Sequence, residues 1–504
     1  MIARSILRYA VVMTIAISLS ASLQALNIST HGIINIAAAD YPGFGEYLRK
    51  SLSISAGQLL RRRGDELTAA GWLGEGGERE DDGSPLTGRF HNHFHNPLKP
   101  WAEAGLHAIR HHPSSARWMQ DQSDGAGANW AWTDARNFYL RAVTASDART
   151  REEAAADLFR ALGQIMHLVV DASVPEHARD DPHPFGDISR RFLQRPEAGN
   201  YEYWVSDQHE RQREADFIAR YLSNPIGFDA SLLRMPPPAG ETVAKVPIAR
   251  LIDSDRYTAT APDPNVTLNG AIGLAEFANA NFFSEDTLHG RFPFPRRELL
   301  VASPRVAPKS GNVRVYMAKP PGQGQPTGVA LAECASERSV GRWVVSVSPP
   351  YPCVDEAVWE ETASHMLPRA VGYARGVLDY FFRGRFRLYS VSGGQTAAML
   401  FFNDSDEPME GTFEVFEGSA SEHRRRVAST HDFIACSSSG ELEPRQGSMT
   451  VGPGGACVAQ WTTTAAATLR EHVLVFRGRL GLEANAVASR TFILSDQAAA
   501  NEES

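Results

Sequence analysis

One helical stretch of this sequence is apolar on nearly every face and yet carries a histidine and an aspartate at its C-terminal end. Within Glu152–Val170, apolar side chains form two stripes, one of Leu158, Leu162, Ile165 and Val169 and one of Phe159, Met166 and Val170. A helix that is apolar all round is a buried helix. His167 and Asp171 stand four residues apart, on one face of it. They need partners, because an unpaired buried charge costs several kcal/mol.

Two interpretations of this pair are open. A hydrogen bond between His167 and Asp171 would orient the helix without any metal, whereas a metal ion would use both side chains as ligands. His177 lies just beyond the helix, where Pro175 bounds it, and can turn back toward the same place. Imidazole and carboxylate ligands together suit zinc.

Other residues of the metal-ligand type support the metal. Twelve of the 16 histidines lie before residue 290, among them the alternating His91, His93 and His95, which share one face if the segment is extended. The acids Glu80-Asp81-Asp82 stand shortly upstream of these histidines. Several pairs of ligand-type residues in one chain indicate a metal site more specifically than any single pair does.

The first 25 residues have the features of a secretory signal peptide. Arg4 and Arg8 precede the apolar run Tyr9–Leu19, and small residues lead to Ala25. We expect cleavage after Ala25 and a secreted or periplasmic location. An uncleaved membrane anchor is the alternative, but the apolar run is short and contains serine. Leu26 then begins the mature chain, and its free amino group and carbonyl can chelate a metal together with His31, the sixth residue.

These residues resemble the zinc-dependent phospholipase C and S1/P1 nuclease superfamily. His167, Asp171 and His177 match its HxxxDxxxxxH motif, and the segment 92–97, Asn-His-Phe-His-Asn-Pro, resembles its HF-x-[DN]-P segment. The resemblance implies a mostly α-helical bundle with two to three zinc ions. It covers roughly residues 26–290 and the helix at 357–382.

The resemblance also implies a ligand set for each ion. Asp81, His93, His167 and a bridging Asp171 would hold one zinc ion, and the Leu26 backbone, His31 and Asp171 a second. His177 and Glu202 would hold the third, together with a histidine that the family places four residues before the glutamate. That position is Ala198 here, so His183 or His209 would have to replace the histidine. Leu26 also stands where the family has Trp.

Such a centre predicts phosphodiester hydrolysis. Zinc makes bound water acidic enough to attack near neutral pH, and two ions can hold the nucleophile and a phosphoryl oxygen. Asp171, as the bridging ligand, and Asp81, which could steer the attacking water, are the predicted catalytic residues.

Three functions fit this prediction. A secreted phospholipase C is favoured, since a helical zinc domain followed by a β-sandwich resembles the clostridial enzymes, whose sandwich docks onto membranes. An extracellular nuclease is less favoured, because 50 basic residues against 59 acidic ones give a net charge of −9. A non-catalytic, metal-stabilised binding scaffold is the third possibility.

The pattern of the whole chain predicts a multidomain α + β protein. After the signal peptide 1–25, we expect a helical zinc domain at 26–295, a β-rich insertion at 296–354, a helix at 355–384 that completes the helical domain, and an antiparallel β-sandwich at 385–498. Pro236-Pro237-Pro238 and later prolines predict a long surface connection over 232–264.

Four cysteines allow three pairings. In an oxidising compartment the simplest is Cys334–Cys353 with Cys436–Cys457, and four unpaired thiols are the alternative.

Two other clusters of polar residues favour a solvated surface over a binding site. The triplet Arg61-Arg62-Arg63 is followed by acids at 65 and 66, which favours a solvated charged face over a phosphate clamp. His107 and His111 have helical spacing, and a solvated face is favoured over a metal role.

Overall fold

The computed structural model describes residues 28–494 except 82–88, 108–110, 123–129, 182–200, 244, 259–270, 289, 309–311, 322–325, 336, 341–342, 347–348, 394–395, 420, 431–433, 438–441, 444–446 and 464–469. The expected signal peptide and Leu26 lie outside the described residues. The fold mixes helices, which predominate before residue 300, with antiparallel sheets, which predominate after residue 385.

Eleven α-helices are found in the described part of the chain. They are α1 (Ile28–Ala39), α2 (Pro42–Tyr47), α3 (Ala69–Arg79), α4 (Ser115–Trp118), α5 (Trp132–Thr144), α6 (Ala148–Asp171), α7 (Tyr201–Arg211), α8 (Glu214–Phe217), α9 (Leu274–Asn281), α10 (Glu285–Leu288) and α11 (Glu356–Phe381). Shorter 3-10 turns occupy Arg89–Asn92, Ala230–Arg234, Pro247–Leu251 and Arg297–Leu299, and π-helical turns occupy Leu48–Leu52 and Ile218–Leu222. None of the described helices is long and apolar enough to span a membrane.

Helix α6 is the central helix of this part. It contains the predicted stretch Glu152–Val170 and begins earlier, because the Asp147 side chain accepts a hydrogen bond from the Thr150 amide and caps the helix. Every residue from 161 to 171 is buried, against α3, α5 and α11 among others. Helix α11, capped in the same way by Asp355, returns to pack on α1 and α6.

The predicted surface connection over 232–264 is wrong in part. Residues 247 to 251 form a fully buried 3-10 turn, with Ile248, Ala249 and Leu251 at 0% exposure. The apolar side chains after the three prolines therefore belong to the core, where Arg250 is also buried and donates to the Pro236 carbonyl. Proline content indicated irregular backbone correctly, but it carries no information on depth.

Strands occupy residues 301–353, between the helical segments. β3 (Val301–Ala302), β4 (Val313–Ala318), β5 (Leu331–Cys334) and β8 (Tyr351–Cys353) form a four-stranded antiparallel sheet, and β6 (Glu337–Val340) pairs with β7 (Trp343–Ser346). A disulfide between Cys334 and Cys353 links β5 to β8. A small hairpin, β1 (Leu60–Arg62) with β2 (Asp65–Leu67), lies earlier in the chain.

Two antiparallel sheets follow α11. The first has the order β14-β13-β16-β10-β9 and the second β12-β11-β17-β18, with β15 paired to β11. The strands are β9 (Phe386–Gly393), β10 (Thr396–Asn403), β11 (Met409–Glu417), β12 (Arg425–Ser429), β13 (Ile434–Ser437), β14 (Leu442–Glu443), β15 (Met449–Val451), β16 (Ala456–Thr462), β17 (Glu471–Leu480) and β18 (Glu483–Ile493).

The two sheets face each other across one apolar core. Phe401 of the first sheet packs on Phe413 of the second, with ring centroids 5.3 Å apart. Along β10 the buried and less buried side chains alternate, as expected of a strand with one face in a core. The disulfide Cys436–Cys457 joins directly opposed residues of β13 and β16. Both disulfides confirm the predicted pairing.

A buried ion-pair network joins the helices to these sheets. Glu483, at the start of β18, is 3% exposed and accepts hydrogen bonds from Arg136 of α5 at 2.7 and 2.9 Å. Trp132 and Arg383 donate to the same carboxylate at 2.7 and 2.8 Å. Burial alone would raise the pKa of Glu483, but the two guanidinium groups lower it to about 2.

Replacement of this carboxylate should destabilise the fold. Glu483→Gln leaves Arg136 buried without its counter-charge and Arg383 with Glu407 alone, and we expect a loss of about 3–5 kcal/mol in the free energy of unfolding. Urea unfolding measures it. The matched control is Glu410→Gln, whose partner Arg479 lies 3.7 Å away in an exposed pair, where about 0–1 kcal/mol is expected. Equal losses in the two variants would contradict the role given to the network.

The contribution of Glu483 should also depend on pH. Its pKa is lower in the folded chain than its ordinary value of 4.5, so its stabilisation is complete above pH 4.5 and is lost as the pH falls toward about 2. The difference in unfolding free energy between the wild type and Glu483→Gln should therefore be constant from about pH 5 to about pH 7. Below about pH 5 this difference should decrease. A difference that grows on acidification would contradict this.

Candidate metal centre

The end of α6 is the meeting point of five other segments of the helical part. α6 itself supplies His167 and Asp171, and His31 comes from α1. The residues that follow α3 and the 3-10 turn at 89–92 supply Asp81 and His93. The loop after α6 brings His177, and α7 brings Glu202. All seven side chains are buried, at 5% exposure or less.

Asp171 lies at the middle of this cluster. Its Oδ1 atom is 3.2 Å from His31 Nε2 and 3.5 Å from His177 Nδ1. Its Oδ2 atom is 2.8 Å from His93 Nδ1 and 3.1 Å from His167 Nε2. One carboxylate therefore faces four imidazoles, a position in which it can bridge two metal ions.

The other two carboxylates border the same cluster. Asp81 Oδ1 is 3.5 Å from His93 Nδ1 and 3.8 Å from His167 Nε2, and Glu202 Oε1 is 3.7 Å from His177 Nε2. Three overlapping groups have ligand atoms that all lie within 4.8 Å of one another. They are His31 with Asp81 and His167, His93 with His167 and Asp171, and His31 with Asp171 and Glu202.

The donor atoms of this cluster suit a metal better than they suit one another. Both ring nitrogens of His31 and both carboxylate oxygens of Asp81 and Asp171 are buried, and none has a hydrogen-bond partner within the described part of the chain. The short nitrogen–oxygen distances thus lack hydrogen-bond alignment. Burial of unsatisfied polar groups is costly, and a cation with nitrogen and oxygen ligands satisfies all of them.

The electrostatics of the cluster favour a cation too. Burial, followed by the charge of His167, lowers the pKa of His31 to about 4, and burial lowers the pKa of His93 to about 3. Both imidazoles are therefore neutral at pH 7, the form that binds metals. Burial also opposes charge on His167, but Asp171 and Asp81 raise its pKa to about 10. Without an ion, the positive charge of His167 offsets these carboxylates; a bound metal ion would supply that charge and leave the ring neutral, as a ligand must be.

Glycine residues allow the helices to approach this closely. A Cβ added to Gly76 of α3 would lie 2.1 Å from the Arg160 carbonyl oxygen, and one added to Gly163 of α6 would lie 2.2 Å from that of Leu73. The backbones of α3 and α6 are thus in direct contact one turn before the ligands. Asn35 of α1 locks the crossing, since its amide donates to the carbonyl oxygens of Leu73 and Gly163.

Outer contacts orient the ligands. The Gly77 carbonyl oxygen lies 2.6 Å from His167 Nδ1, which leaves Nε2 facing Asp171. Glu80, next to Asp81, accepts hydrogen bonds from Arg89 at 2.6 Å and Trp118 at 2.8 Å. Arg89 therefore neutralises Glu80, which also lies 3.9 Å from His93. These hydrogen bonds fix the position of the backbone next to Asp81.

The loop that carries His177 is held by a buried arginine. Arg179 is 0% exposed and donates to the carbonyl oxygens of Pro175, Asn279 and Phe282. The Asn279 side chain donates back to Ala178. These bonds join the loop to the C-terminal end of α9, where carbonyl groups favour a cation.

A lysine from the strands at 301–353 binds the same helix end. Lys319 donates to the Ala280 carbonyl oxygen at 3.0 Å and to the Asn281 side chain at 2.8 Å. Arg179 and Lys319, both buried, thus donate to oxygens at the end of α9. Neither residue was predicted from the sequence, where each is a single basic residue in an otherwise apolar or ligand-rich segment.

Several predicted candidates lie elsewhere. The segment at 91–95 is not an extended strand, because Arg89–Asn92 forms a 3-10 turn. Only His93 points to the cluster; His91 stacks on His112, and His95 Nε2 lies 2.7 Å from the buried Asp253. The extended interpretation failed since alternation alone does not distinguish a strand from a turn.

Two further histidine predictions change. His107 and His111 face each other across an isolated β-bridge instead of lying on a helix, and His107 lies 3.3 Å from Asp180. His209 contacts the Thr30 hydroxyl and is in none of the ligand groups of the described residues. Leu26, His183 and Ala198 are outside the described residues, so the structure places only His177 and Glu202 of the third set.

No protein-family model matches this chain, and no curated protein is similar to it.

A side chain added at the crossing of α3 and α6 should weaken the candidate metal centre. Gly76→Ala forces α3 away from α6, and we expect a loss of about 1–3 kcal/mol in unfolding free energy together with fewer metal ions retained per chain. Urea unfolding and elemental mass spectrometry measure the two effects. Gly45→Ala is the control, because a Cβ there meets nothing within 4 Å; it should be neutral or stabilising. A Gly76→Ala variant as stable and metal-rich as this control would contradict the close contact.

Proposed function

We propose that this chain is an exported, zinc-dependent phosphodiester hydrolase of the phospholipase C type. The observation that carries the proposal is the arrangement around Asp171, which faces four imidazoles within 3.5 Å while its oxygens lack hydrogen-bond partners in the described residues. A structural histidine–aspartate hydrogen bond would satisfy both groups, and it would need one histidine instead of four.

The residues present can hold at least two zinc ions. Asp81, His93 and His167 with one oxygen of Asp171 offer a nitrogen- and oxygen-rich set for one ion, and His31 with the other oxygen offers part of a second. Zinc supplies Lewis acidity, which lowers the pKa of bound water and polarises a phosphoryl oxygen. His177 and Glu202 would supply two ligands for a third ion.

The chain's own side chains have separate tasks in this proposal. Asp171 would be a ligand of both ions, because its two oxygens face different histidines at the end of α6. Asp81 borders His93 and His167, where its carboxylate would orient the attacking water. The Gly77 carbonyl keeps His167 in the tautomer that presents Nε2 to the centre.

The substrate class and the location are proposed from the disulfides, the order of the two parts of the chain and the net charge. Two disulfides are typical of an oxidising compartment, which supports export. A phospholipid substrate, with the C-terminal sheets touching the membrane surface, is proposed on the order of helical part and paired sheets. Nucleic acid is the second candidate; the net charge of −9 disfavours it.

The first test is a count of the metal and a measurement of turnover. The signal-cleaved protein should contain two or three zinc ions per chain by elemental mass spectrometry. It should hydrolyse a phosphocholine diester faster than single-stranded DNA. Protein that stays folded with no zinc would overturn the proposal, and turnover of DNA alone would replace phospholipase by nuclease.

Asp171→Asn should separate a bridging ligand from a structural residue. Even residues outside the ligand shell commonly change metal affinity or activity by about 10–100-fold, so we expect diesterase activity to fall by at least about 100-fold and bound zinc to fall by one ion or more. The control is Asp216→Asn, which alters an exposed pair with Arg213 and should leave both unchanged. Full activity of Asp171→Asn would exclude the mechanism.

A further inference from the structure

We propose that Glu202 completes the ligand set of the second metal ion, in the place expected for the backbone of Leu26. This inference rests on the zinc centre proposed above and adds that the centre binds two ions with no contribution from the amino terminus. Leu26 lies outside the described residues. Glu202, in contrast, lies at 2% exposure beside His31 and Asp171, the two side chains of the second set.

The three donors have nearly the spacing of ligands that share one ion. His31 Nε2 lies 3.2 Å from Asp171 Oδ1, and one ligand atom each of His31, Asp171 and Glu202 lies within 4.8 Å of the other two. Ligands at about 2.0–2.2 Å from a tetrahedral zinc ion are about 3.3–3.6 Å from one another, so Glu202 needs to approach by only about 1 Å. Three protein ligands, with water in the fourth position, are typical of a catalytic zinc ion.

The packing of α7 on α1 holds Glu202 in this position. Glu202 and His209 are seven residues apart (209 minus 202), which is about two helical turns, so they share one face of α7. His209 Nδ1 lies 3.1 Å from the hydroxyl of Thr30, the residue before the ligand of α1. The Tyr201 amide donates to Glu176 Oε1 at 3.3 Å. The first turn of α7 is therefore attached to the loop after α6, and the last turn to α1.

A third ion would compete for the same carboxylate. Glu202 Oε1 also lies 3.7 Å from His177 Nε2, but His177 is in none of the ligand groups of the described residues. His209, the other described candidate for the third set, contacts Thr30 instead. The third set thus has two described members, whereas the second set with Glu202 has three. Since zinc in proteins takes three or four protein ligands, Glu202 is assigned to the second ion.

A carboxylate also suits this place electrostatically. An amino group and a carbonyl oxygen are neutral ligands, whereas Glu202 adds a negative charge to that of Asp171. A buried divalent ion is stabilised by such counter-charges. Because every ligand of the second ion is then a side chain of the folded helices, the expected cleavage after Ala25 is not a condition for metal binding.

The first test compares two forms of the chain, one that begins at Leu26 and one that keeps Leu23-Gln24-Ala25 in front of it. The extension moves the free amino group away from Leu26 and changes no side chain of the centre. Elemental mass spectrometry counts the zinc ions, and competition with a chelator measures zinc affinity. We expect two ions per chain and equal affinity in both forms. Loss of one ion from the extended form, or an affinity lower by about 10–100-fold, would overturn the inference.

The second test removes the charge of Glu202. Glu202→Gln keeps the size of the side chain, and we expect one zinc ion per chain instead of two, in both forms. Glu210→Gln is the matched control, because Glu210 is an exposed glutamate of the same helix; it should keep both ions. Circular dichroism checks that the variants fold. The extended form alone still tests the inference if Glu202→Gln does not fold.

The counts distinguish this inference from the proposed function. Folded wild-type protein without zinc would overturn both. Two ions that survive Glu202→Gln but fall to one on extension would overturn the inference alone and assign the ligand to Leu26. Three ions in the wild type would overturn it too, because a third ion requires Glu202 beside His177.

Discussion

The buried carboxylate of Asp171 is the constraint on which the helical part depends. Histidines from α1, the segment after α3, α6 and the following loop all reach it within 3.5 Å. A fully buried carboxylate that faces four imidazoles is unfavourable without a compensating cation. The close crossing of α3 and α6 at Gly76 and Gly163 lies one turn before these residues, and this backbone contact brings Asp81, just after α3, near His167. The same few turns of α3 and α6 therefore determine both the packing of the helices and the geometry of the candidate metal centre.

Much of the site was accessible from the sequence because its signals are local. His167 and Asp171 lie in a helix whose apolar pattern predicts burial. Because buried ionisable side chains need a counter-charge or a metal ion, this segment alone indicates a site. Antiparallel sheets were expected at 385–498 and are found there, and β10 and β16 show the alternating burial of strands with one face in a core. Local pairs of cysteines were similarly sufficient to predict the two disulfides.

The missed features are contacts between residues far apart in the chain. Nothing near Arg179 shows that its donors meet carbonyl groups a hundred residues later, and nothing near Glu483 shows that Arg136 will neutralise it. The alternation of His91, His93 and His95 suggested one face, but the 3-10 turn sends the three rings to three different partners. The prolines after 236 marked irregular backbone, whereas the burial of the turn at 247–251 depends on what packs over it.

The distribution of the ligands along the chain determines when a metal can be bound. His31 and Glu202 belong to one ligand group although 171 positions separate them (202 minus 31), so no short segment of a nascent or unfolded chain presents the complete set. For the zinc ions proposed above, affinity would therefore be a property of the folded helices, and the binding free energy would add to their stability. Resistance to unfolding would then depend on the free zinc concentration around the protein, and a chelator in the medium would act on this chain as a denaturant does, by withdrawing a component of the native state.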